Sequence, residues 1–372
     1  MKIAIDVTPW MPKPSGIGFY VSNLIQGLMR SQDSPDLELI YQPGLKKWLK
    51  GDFAFPDYLR AYSRLNLFPL PVRLSNLIID FPFLFSNGLE ACFQQADIVH
   101  GTNYTVFPTR KSRRVITIYD LTFIKYPEFT NSTVSAYTER LKKCLRWTDL
   151  ILTISHSSKR DIVEYLKVDP DRVWVTHLAS RYQVDQPIPE FSFPKPYILF
   201  VSTIEPRKNI RSLISAFEYL KRNYKIEHQL VLIGQKGWLY EPIFDQIARS
   251  PYQSEIQHLD YLPDAQVMQF YRNADVFVYP SHYEGFGMPV LEAMTLGAPV
   301  VTTNVSSLPE IAGDAALLIE PNAIEDLGEA ILNVIRDRTL RENLIQKGKE
   351  QAKLYSWENT AQETLKAYRS IL

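Results

Sequence analysis

Short hydrophobic runs rich in valine and isoleucine alternate with amphipathic, helix-sized segments along the whole chain. The runs are continuous rather than interrupted by polar residues, which is typical of strands covered by helices on both faces. Strands joined by helices indicate parallel sheets of the α/β class. The predicted strands are 3–7, 37–41, 98–100, 115–119, 150–155 and 173–177, then 197–202, 229–234, 256–261, 276–280, 299–303 and 316–319. The clearest predicted helices in the first half are 18–30, 132–147 and 157–166.

A break in composition separates two such α/β halves. Residues 185–196 contain four prolines in twelve residues and show no helical periodicity, which is typical of a linker between domains. The sequence therefore predicts a first domain at 1–185, a linker at 186–196 and a second domain at 197–356, which agrees with the two domains expected for 372 residues. Residues 357–372 form one amphipathic helix with no strand after it, so the helix must pack on a domain already formed.

Charge and cysteine content exclude several classes of protein. There are 41 Lys and Arg against 41 Asp and Glu, so the net charge is zero and binding of nucleic acid through bulk charge is disfavoured. Cys92 and Cys144 lack the number and spacing for a disulfide framework or a zinc site, and both are predicted to be buried thiols. The N-terminus lacks the long apolar region of a signal peptide, which predicts a cytoplasmic protein.

One segment, 65–85, is aromatic and apolar, and Arg73 and Asp80 are its only charged residues. Its three prolines argue against a membrane-spanning helix. Two interpretations stay open: a buried helix and loop of the first domain, or an exposed apolar surface that meets a membrane or a lipid-linked substrate. Arg60 and Arg64 nearby, with Arg73, would suit anionic headgroups or a phosphate at the inner face of the membrane.

The most informative motif follows the predicted strand 276–280, in the sequence EGFGMPVLEA. Pro289 suits the first position of a helix and Gly297 suits its end, so a helix begins just after the two glycines. Such a helix start binds anions such as phosphate. Glu284 and Glu292, eight residues apart, can contact two parts of one extended ligand. The alternative for Glu292 is that an acidic side chain in a first helical turn merely complements the helix dipole.

A second motif, EPRKN, follows strand 197–202 and opens a helix that runs to about Asn223. Arg207 and Lys208 could neutralise a diphosphate, arginine with its fork of donors and lysine as a point charge. The alternative is a solvated helix start. Cations at a helix N-terminus oppose the dipole, however, so their position favours a bound anion.

In the first half, Gly16 and Gly18 lie in the sequence SGIG between the first strand and the first helix, where a phosphate-contacting turn is expected. The spacing differs from GxGxxG, and no acidic residue follows the second strand to bind a ribose. A nicotinamide or flavin site is therefore disfavoured.

Other polar residues of the first half end predicted strands. His100, Tyr119, Asp120 and His156 could face a ligand or could cap helices. For His156 the serines around it favour a cap, whereas Asp120 is the best candidate for contacting an acceptor. The acidic pair in 169–171 is expected to form a turn. With no other metal-ligand spacing, no divalent ion is expected to be required.

Together, EGFGMPVLEA, EPRKN, SGIG and the late SWENTA segment resemble the pattern of glycosyltransferase family 4 over nearly the whole chain. The resemblance implies a GT-B fold, in which two Rossmann-like domains face a cleft and the last helix crosses back to the N-terminal domain. It also implies that the C-terminal domain binds a nucleotide-sugar donor and the N-terminal domain an acceptor. Transfer would retain the anomeric configuration, with neither a metal nor a cofactor besides the nucleotide-sugar co-substrate.

Carried over by position, the resemblance places Glu284 near the donor sugar and Glu292 on the ribose hydroxyls, while Arg207 and Lys208 stabilise the leaving diphosphate. It places Gly16 and Gly18 on the opposite side of the site. The further substrate-binding candidates are Ser202, Thr203, Tyr261, Leu262, Phe286, Gly287, Met288, Pro289 and Val290.

Two departures from the family pattern stand out. Ser202 and Thr203 replace a common glycine-arginine pair, so Arg207 would supply the second phosphate cation. Tyr119 replaces a histidine before Asp120, and a tyrosine with a reference pKa of ~10 is no base near neutral pH. The departing phosphate would then take the acceptor proton, while Asp120 or His100 orients the acceptor hydroxyl.

The predicted function is a retaining hexosyltransferase of polysaccharide biosynthesis, acting on a glycan or lipid-linked acceptor. UDP-glucose is favoured as donor and GDP-mannose is next. A sugar-nucleotide epimerase of the same fold and a non-catalytic glycan-binding protein are the alternatives, and the second depends on Tyr119 marking a decayed site.

Overall fold

The computed structural model describes residues 1–11, 16–82, 90–93, 95–129, 135–184, 187, 193–194 and 196–372. The chain forms two compact units. Unit 1 comprises Met1–Lys125, Ser132–Leu178 and Trp357–Leu372, and unit 2 comprises Tyr126–Asn131 and Ala179–Ser356. The predicted boundary at 185 lies beyond the observed one, which follows Leu178. Most of the predicted linker 186–196 lies outside the described residues, which include only 187, 193, 194 and 196 of it.

Unit 1 is built on a seven-stranded sheet with the order β3-β2-β1-β4-β5-β6-β7, in which neighbouring strands are parallel. Its strands are β1 Lys2–Asp6, β2 Asp36–Tyr41, β3 Leu65–Leu67, β4 Ile98–Gly101, β5 Arg113–Thr117, β6 Leu150–Thr153 and β7 Val173–Val175. Its described α-helices are α1 Gly16–Arg30, α2 Leu45–Leu49, α3 Val72–Asp80, α4 Thr122–Lys125, α5 Ser135–Leu145, α6 His156–Leu166 and α14 Trp357–Arg369.

Unit 2 is built on a six-stranded parallel sheet with the order β10-β9-β8-β11-β12-β13. Its strands are β8 Tyr197–Val201, β9 Gln229–Ile233, β10 Ile256–Leu259, β11 Val276–Tyr279, β12 Val300–Thr303 and β13 Ala316–Ile319. Its α-helices are α7 Ile210–Tyr224, α8 Glu241–Arg249, α9 Asp264–Asn273, α10 Met288–Leu296, α11 Leu308–Ala312, α12 Ile324–Arg336 and α13 Arg338–Ala352. Both sheets therefore have the Rossmann-like architecture predicted from the continuous apolar runs, and β8, β9, β11 and β12 are buried along their whole length.

The segment 65–85 has features of both interpretations, since it is partly buried and partly an exposed apolar surface. It contains β3, which the sequence did not predict, and then α3. Phe68 and Ile78 are buried, whereas Leu77 and Phe81 are exposed. Residues 83–85 lie outside the described part of the chain. A contact of this segment with a membrane stays a prediction, and within the described residues no helix is both long enough and apolar enough to cross a bilayer.

The two cysteines differ in burial. Cys144 is buried in the core of unit 1, as predicted, whereas Cys92 is only half-buried. The prediction that both thiols are buried is therefore wrong for Cys92. Cys92 belongs to a short helical stretch at 90–92 and packs against the core cluster from its edge.

Helix α14 packs on α1 within unit 1, which explains why residues 357–372 need no strand of their own. A side-chain Cβ at Gly27 of α1 would lie 2.9 Å from Cβ of Ala361 and 3.0 Å from the carbonyl oxygen of Trp357. The rings of Phe19 and Trp357 also meet edge to face at 5.9 Å. The close approach of the two helices thus requires glycine at position 27.

Replacing Gly27 with valine should lower the free energy of unfolding by about 1–3 kcal/mol, because the added carbons force α14 away from α1. Urea unfolding followed by circular dichroism measures this difference. Gly16→Val is the matched control, since Gly16 lies on the same helix and a Cβ there meets no atom of the described residues within 4 Å. Equal stability of the two variants would contradict the requirement for glycine at position 27.

Candidate functional site

The two motifs of the second half meet because their strands are neighbours. Strand β8 leads into a 3-10 turn at Pro206–Lys208, and β11 leads into the loop that contains Glu284. β8 and β11 are adjacent and parallel, so their carboxyl ends lie at the same edge of the sheet. A hydrogen bond from the backbone N–H of His282 to the carbonyl of Arg207, at 2.9 Å, joins the two loops directly.

A buried ion cluster lies where these loops meet. The Nζ of Lys208 lies 2.6 Å from Oε1 of Glu284, and Nη1 of Arg207 lies 3.0 Å from Oε2. The hydroxyl of Tyr279 donates to Oε1 of Glu284 at 3.0 Å and accepts from Nζ of Lys208 at 2.7 Å. Lys208 is 5% exposed and Glu284 is 8% exposed. The structure therefore places the carboxylate between the two cations, whereas the sequence assigns them to different parts of a ligand.

Electrostatics keep the members of this cluster charged. Burial raises the pKa of Glu284, but the positive charges of Arg207 and Lys208 outweigh burial and bring the pKa down to about 2. Burial and the charge of Arg207 lower the pKa of Lys208, but Glu284 and its other partners leave it above the ordinary lysine value. A buried lysine and a half-buried arginine are thus preformed at the carboxyl edge of the sheet.

Glu205 completes the cluster and was not singled out from the sequence. Its Oε1 accepts from Nη2 of Arg207 at 2.8 Å and from Nε at 3.1 Å. Burial raises the pKa of Glu205, and the nearby Lys208 and Arg207 counteract only part of this shift. The signal for Glu205 lies in the EPRKN motif itself. Tyr279, the last residue of β11, carries no comparable signal because its position alone does not show where the hydroxyl points.

The glycines beside Glu284 shape the start of α10. Gly287 has φ 102° and precedes the helix, and a Cβ there would lie 2.8 Å from a methyl carbon of Leu308. Gly297, at φ 83°, ends the helix as predicted. The helix begins at Met288, so Pro289 is the second helical residue rather than the first. The predicted helix is therefore present and begins one residue earlier than expected, and anion binding at its start stays a prediction.

Glu292 lies in the second turn of α10, so the prediction that places it in the first turn is wrong. Complementing the helix dipole, an effect confined to the first turn, does not explain its position. Its carboxylate is 2% exposed and is bonded by Arg181, with Nε at 2.7 Å from Oε1 and Nη2 at 3.0 Å from Oε2. Arg181 was not predicted, because nothing in the sequence links it to α10.

The remaining candidates of unit 2 lie around the carboxyl ends of the strands. Ser202 and Thr203 follow β8, and Gly234 approaches so closely that a Cβ on it would lie 1.9 Å from the carbonyl oxygen of Ser202. Tyr261 and Leu262 follow β10, which ends at Leu259, and the Tyr261 side chain is exposed. The ring of Phe286 is buried against Tyr355 at 5.8 Å, so only its backbone can contact a ligand. Val290 is fully buried in α10.

In unit 1 the structure corrects the prediction for His100. The ring is fully buried, and its two nitrogens lie 2.7 Å from Oγ1 of Thr117 and 2.7 Å from the hydroxyl of Tyr368. Burial lowers its pKa to about 3. With both nitrogens engaged inside the core, His100 is a structural residue and does not orient an acceptor hydroxyl.

Tyr119 and Asp120 are also engaged within unit 1. The hydroxyl of Tyr119 donates to the carbonyl of Thr102 at 2.6 Å, and burial raises its pKa well above the ordinary tyrosine value. Tyr119 is therefore no base, as predicted. Oδ1 of Asp120 accepts from the backbone N–H of Thr122 at 2.9 Å and so stabilises the start of α4. For Asp120 the structure thus shows the helix-capping role, and an acceptor contact stays a prediction.

The predicted SGIG turn is partly helical. Helix α1 begins at Gly16, so Gly16 and Gly18 both lie in its first turn, where Gly16 is exposed and Gly18 is buried. The preceding residues 12–15 lie outside the described part of the chain. The turn at 169–171 is confirmed, since Oδ1 of Asp169 accepts from the backbone N–H of Asp171 at 2.9 Å. Ser155 rather than His156 caps α6, by accepting from the N–H of Ser158.

Comparisons with known proteins agree with this architecture. Residues 14–179 match the family model described as "Glycosyltransferase Family 4", and residues 185–351 match the model described as "Glycosyl transferases group 1". The chain is 32% identical to the "O-antigen chain mannosyltransferase B" of Escherichia coli, and the alignment covers 100% of both chains. It is 29% identical over 243 residues to the "MMP alpha-(1->4)-mannosyltransferase" of Mycolicibacterium hassiacum, covering 63% of this chain and 57% of that one.

Among solved structures, the fold is similar to that of sucrose-phosphate synthase from Thermosynechococcus elongatus, with a TM-score of 0.75 at 18% identity, covering 100% of this chain and 98% of that one. The GT-B type of the fold, with two parallel-sheet Rossmann-like units, is thereby shown. With family models on both halves and a full-length relative above 30% identity, the chain belongs to glycosyltransferase family 4 and is a glycosyltransferase.

Proposed function

We propose that the protein transfers mannose from a nucleotide-diphosphate mannose to a glycan or lipid-linked acceptor in polysaccharide biosynthesis. The observation that carries the proposal is the buried cluster of Arg207, Lys208 and Glu284 at the carboxyl ends of β8 and β11. The choice of sugar is supported by the names of the relatives, which are mannosyltransferases. They favour mannose over the UDP-glucose that the sequence suggested, and GDP-mannose becomes the preferred donor.

The proposed chemistry follows from where charge develops. As the bond between the sugar C1 and the diphosphate oxygen breaks, negative charge accumulates on the leaving nucleoside diphosphate. Arg207 and Lys208 are held in place by Glu284 and Glu205, so they can stabilise that charge with little rearrangement. The acceptor hydroxyl oxygen forms the new bond to C1, and its proton passes to the departing phosphate. Attack on the face that the diphosphate leaves retains the anomeric configuration.

Glu292 and the start of α10 are proposed to hold the rest of the donor. The carboxylate of Glu292 accepts a ribose hydroxyl, and the backbone around Phe286, Gly287 and Met288 contacts the sugar and phosphates. Tyr261 and Leu262 lie beyond β10, where a nucleobase can stack on the exposed tyrosine ring. With the phosphate charge met by two side-chain cations, the reaction is proposed to need no divalent ion.

A cavity in unit 1 is the proposed acceptor site. His100 is among the residues that line it, but both of its ring nitrogens are already bonded within unit 1. The cavity has a volume of ≈ 240 Å³ and is lined by residues at the carboxyl ends of β1, β2 and β4. Gln42 and Arg140 line it, and their Nε2 and Nε atoms are buried without a hydrogen-bond partner in the described structure. Asp6 adds a carboxylate whose pKa is raised by burial. Unpaired donors beside an acceptor suit the hydroxyls of a sugar.

A donor panel tests the proposal. We expect the purified protein to release GDP from GDP-mannose and to transfer mannose to octyl glycosides of mannose or N-acetylglucosamine, detected by mass spectrometry. UDP-glucose should be used at least about ten-fold more slowly, because a site that fits one base and sugar leaves polar groups unpaired with another. Transfer should persist in EDTA.

Three outcomes would contradict the proposal. Conversion of the donor sugar without an acceptor would indicate an epimerase, and glycan binding without transfer would indicate a non-catalytic binding protein. Faster transfer from UDP-glucose than from GDP-mannose would return the donor assignment to glucose.

Methyl glycosides serve as matched acceptors, because a higher rate with the octyl forms indicates that the acceptor carries a lipid.

A further inference from the structure

Arg181 makes the most complete side-chain contact with the buried carboxylate of Glu292. Its Nε and Nη2 donate to the two different oxygens, at 2.7 and 3.0 Å, so the guanidinium and the carboxylate meet as a two-pronged fork. This geometry fixes the plane of the carboxylate as well as its position. Glu292 is 2% exposed, so the direction in which its oxygens point is set by these bonds rather than by solvent.

Arg181 is itself held from further sides. Its Nη1 donates to Oδ1 of Asp264, the first residue of α9, at 3.1 Å. Its guanidinium lies over the ring of Tyr182, 5.2 Å from the ring centre. Burial lowers the pKa of Arg181, but the charge of Glu292 outweighs burial and raises it, so the group stays a cation. The arginine is thus a fixed support on the segment just before the proline-rich stretch.

Counting acceptor positions shows what Glu292 can still bind. A carboxylate offers about four lone-pair positions, two on each oxygen. Arg181 occupies one on each oxygen, and the hydroxyl of Tyr271 donates to Oε2 at 3.3 Å. Counting the bonds made by the described residues, one position is left, on Oε1. With Arg181 in place, Glu292 can therefore accept one further hydroxyl without breaking a bond already present.

We propose that Arg181 is a positioning residue for donor binding: it orients Glu292 so that Oε1 accepts a single ribose hydroxyl of the nucleoside diphosphate. This inference rests on the proposed function, which places Glu292 at the ribose. Arg181 acts through the glutamate. Its removal changes affinity and the discrimination between ribose hydroxyls, whereas a purely structural ion pair would change stability alone.

Calorimetric titration of the full chain with GDP, 2′-deoxy-GDP and 3′-deoxy-GDP tests this inference. In the unmodified protein we expect one deoxy form to bind at least about ten-fold more weakly than GDP, because it loses one hydrogen bond to a charged group. The affinity of the other deoxy form should be within about three-fold of that of GDP. In Arg181→Met, GDP affinity should fall about ten-fold and the difference between the deoxy forms should shrink to about three-fold or less.

Arg181→Lys keeps the charge and guards against failure of the methionine variant to fold. A lysine ammonium cannot reproduce the fork to both oxygens, so the discrimination should fall in this variant as well. Arg341→Met is the matched control. Arg341 pairs with Asp275 at 2.7 Å in the same unit and is similarly exposed, and its loss should leave GDP affinity and discrimination unchanged.

Several results would overturn the inference. Unchanged discrimination in folded Arg181→Met or Arg181→Lys would remove the positioning role, and equal losses for both deoxy forms in the unmodified protein would refute the single remaining acceptor position. Failure of the proposed function gives a different pattern. In that case Glu292→Gln binds GDP as tightly as the unmodified protein, or the unmodified protein binds no GDP. Either result contradicts the assignment of Glu292 to the ribose, and the inference with it.

Discussion

Replacing Lys208 with methionine should lower the turnover of GDP-mannose by about 10²–10³-fold, the effect typical of losing one preorganised group that stabilises charge in the transition state. The expected loss is large because Nζ of Lys208 is buried and fixed by Glu284 and Tyr279, so its charge is preorganised before the reaction. The rate of GDP release, with water or an octyl glycoside as acceptor, measures the effect.

Stability must be separated from catalysis in this experiment, because removing one partner of a buried ion pair costs about 3–5 kcal/mol. Lys221→Met is the matched control. Lys221 is a buried lysine on α7 in the same unit and is paired with Glu255 at 2.5 Å, outside the proposed site. Both variants should be less stable, but only Lys208→Met should lose turnover. Equal turnover in the two folded variants would contradict the role of Lys208.

Acid should weaken the fold of unit 2 through Glu284. Its pKa is about 2 in the folded protein, against 4.5 for an ordinary glutamate, so the folded state favours the ionised form. The stabilisation is fully present above about pH 4.5 and is lost as the pH falls towards 2. The difference between the two pKa values corresponds to about 3 kcal/mol.

Comparison with Glu284→Gln isolates this contribution from the other carboxylates. Glutamine does not titrate, so the gap in unfolding free energy between the two proteins should be widest near pH 7 and should narrow by about 2–3 kcal/mol towards pH 2. Urea unfolding at a series of pH values measures the gap. The control is Glu227→Gln, an exposed position, where the gap should stay near zero. A gap for Glu284→Gln that does not change with pH would contradict the ion cluster.

Much of the fold could be predicted because buried parallel strands need continuous apolar runs. β8 and β11 satisfy this pattern in the sequence and are buried throughout in the structure. β3 was missed for a physical reason: it has three half-buried residues at the edge of the sheet and is followed by prolines at 69 and 71. An edge strand of that length has no apolar run to distinguish it from a loop.

The candidate site could be predicted only as far as local motifs reach. The loops with Arg207, Lys208 and Glu284 were identified because each follows a strand. The contact of Arg207 and Lys208 with Glu284 was not predicted. It depends on β8 and β11 being neighbours in the sheet, although the two strands are distant in sequence. The contact between Arg181 and Glu292 spans 111 residues and carries no signal in either segment.

His100 shows a second limit of prediction from sequence. Its position at the end of β4 suggested a ligand contact, but the end of a strand does not determine which face a side chain occupies. The ring points into the core and bonds Tyr368 of α14, which lies 268 residues later in the chain. Only the packing of the last helix on unit 1 reveals this partner.

Titration of the protein with GDP, comparing Lys208→Met with Lys221→Met, tests the central claim most directly. If Arg207, Lys208 and Glu284 form the diphosphate site of a nucleotide-sugar transferase, the unmodified protein and Lys221→Met bind GDP with similar affinity, and Lys208→Met binds it at least about ten-fold more weakly. Equal affinity of all three folded proteins for GDP, or no binding by the unmodified protein, would contradict the claim.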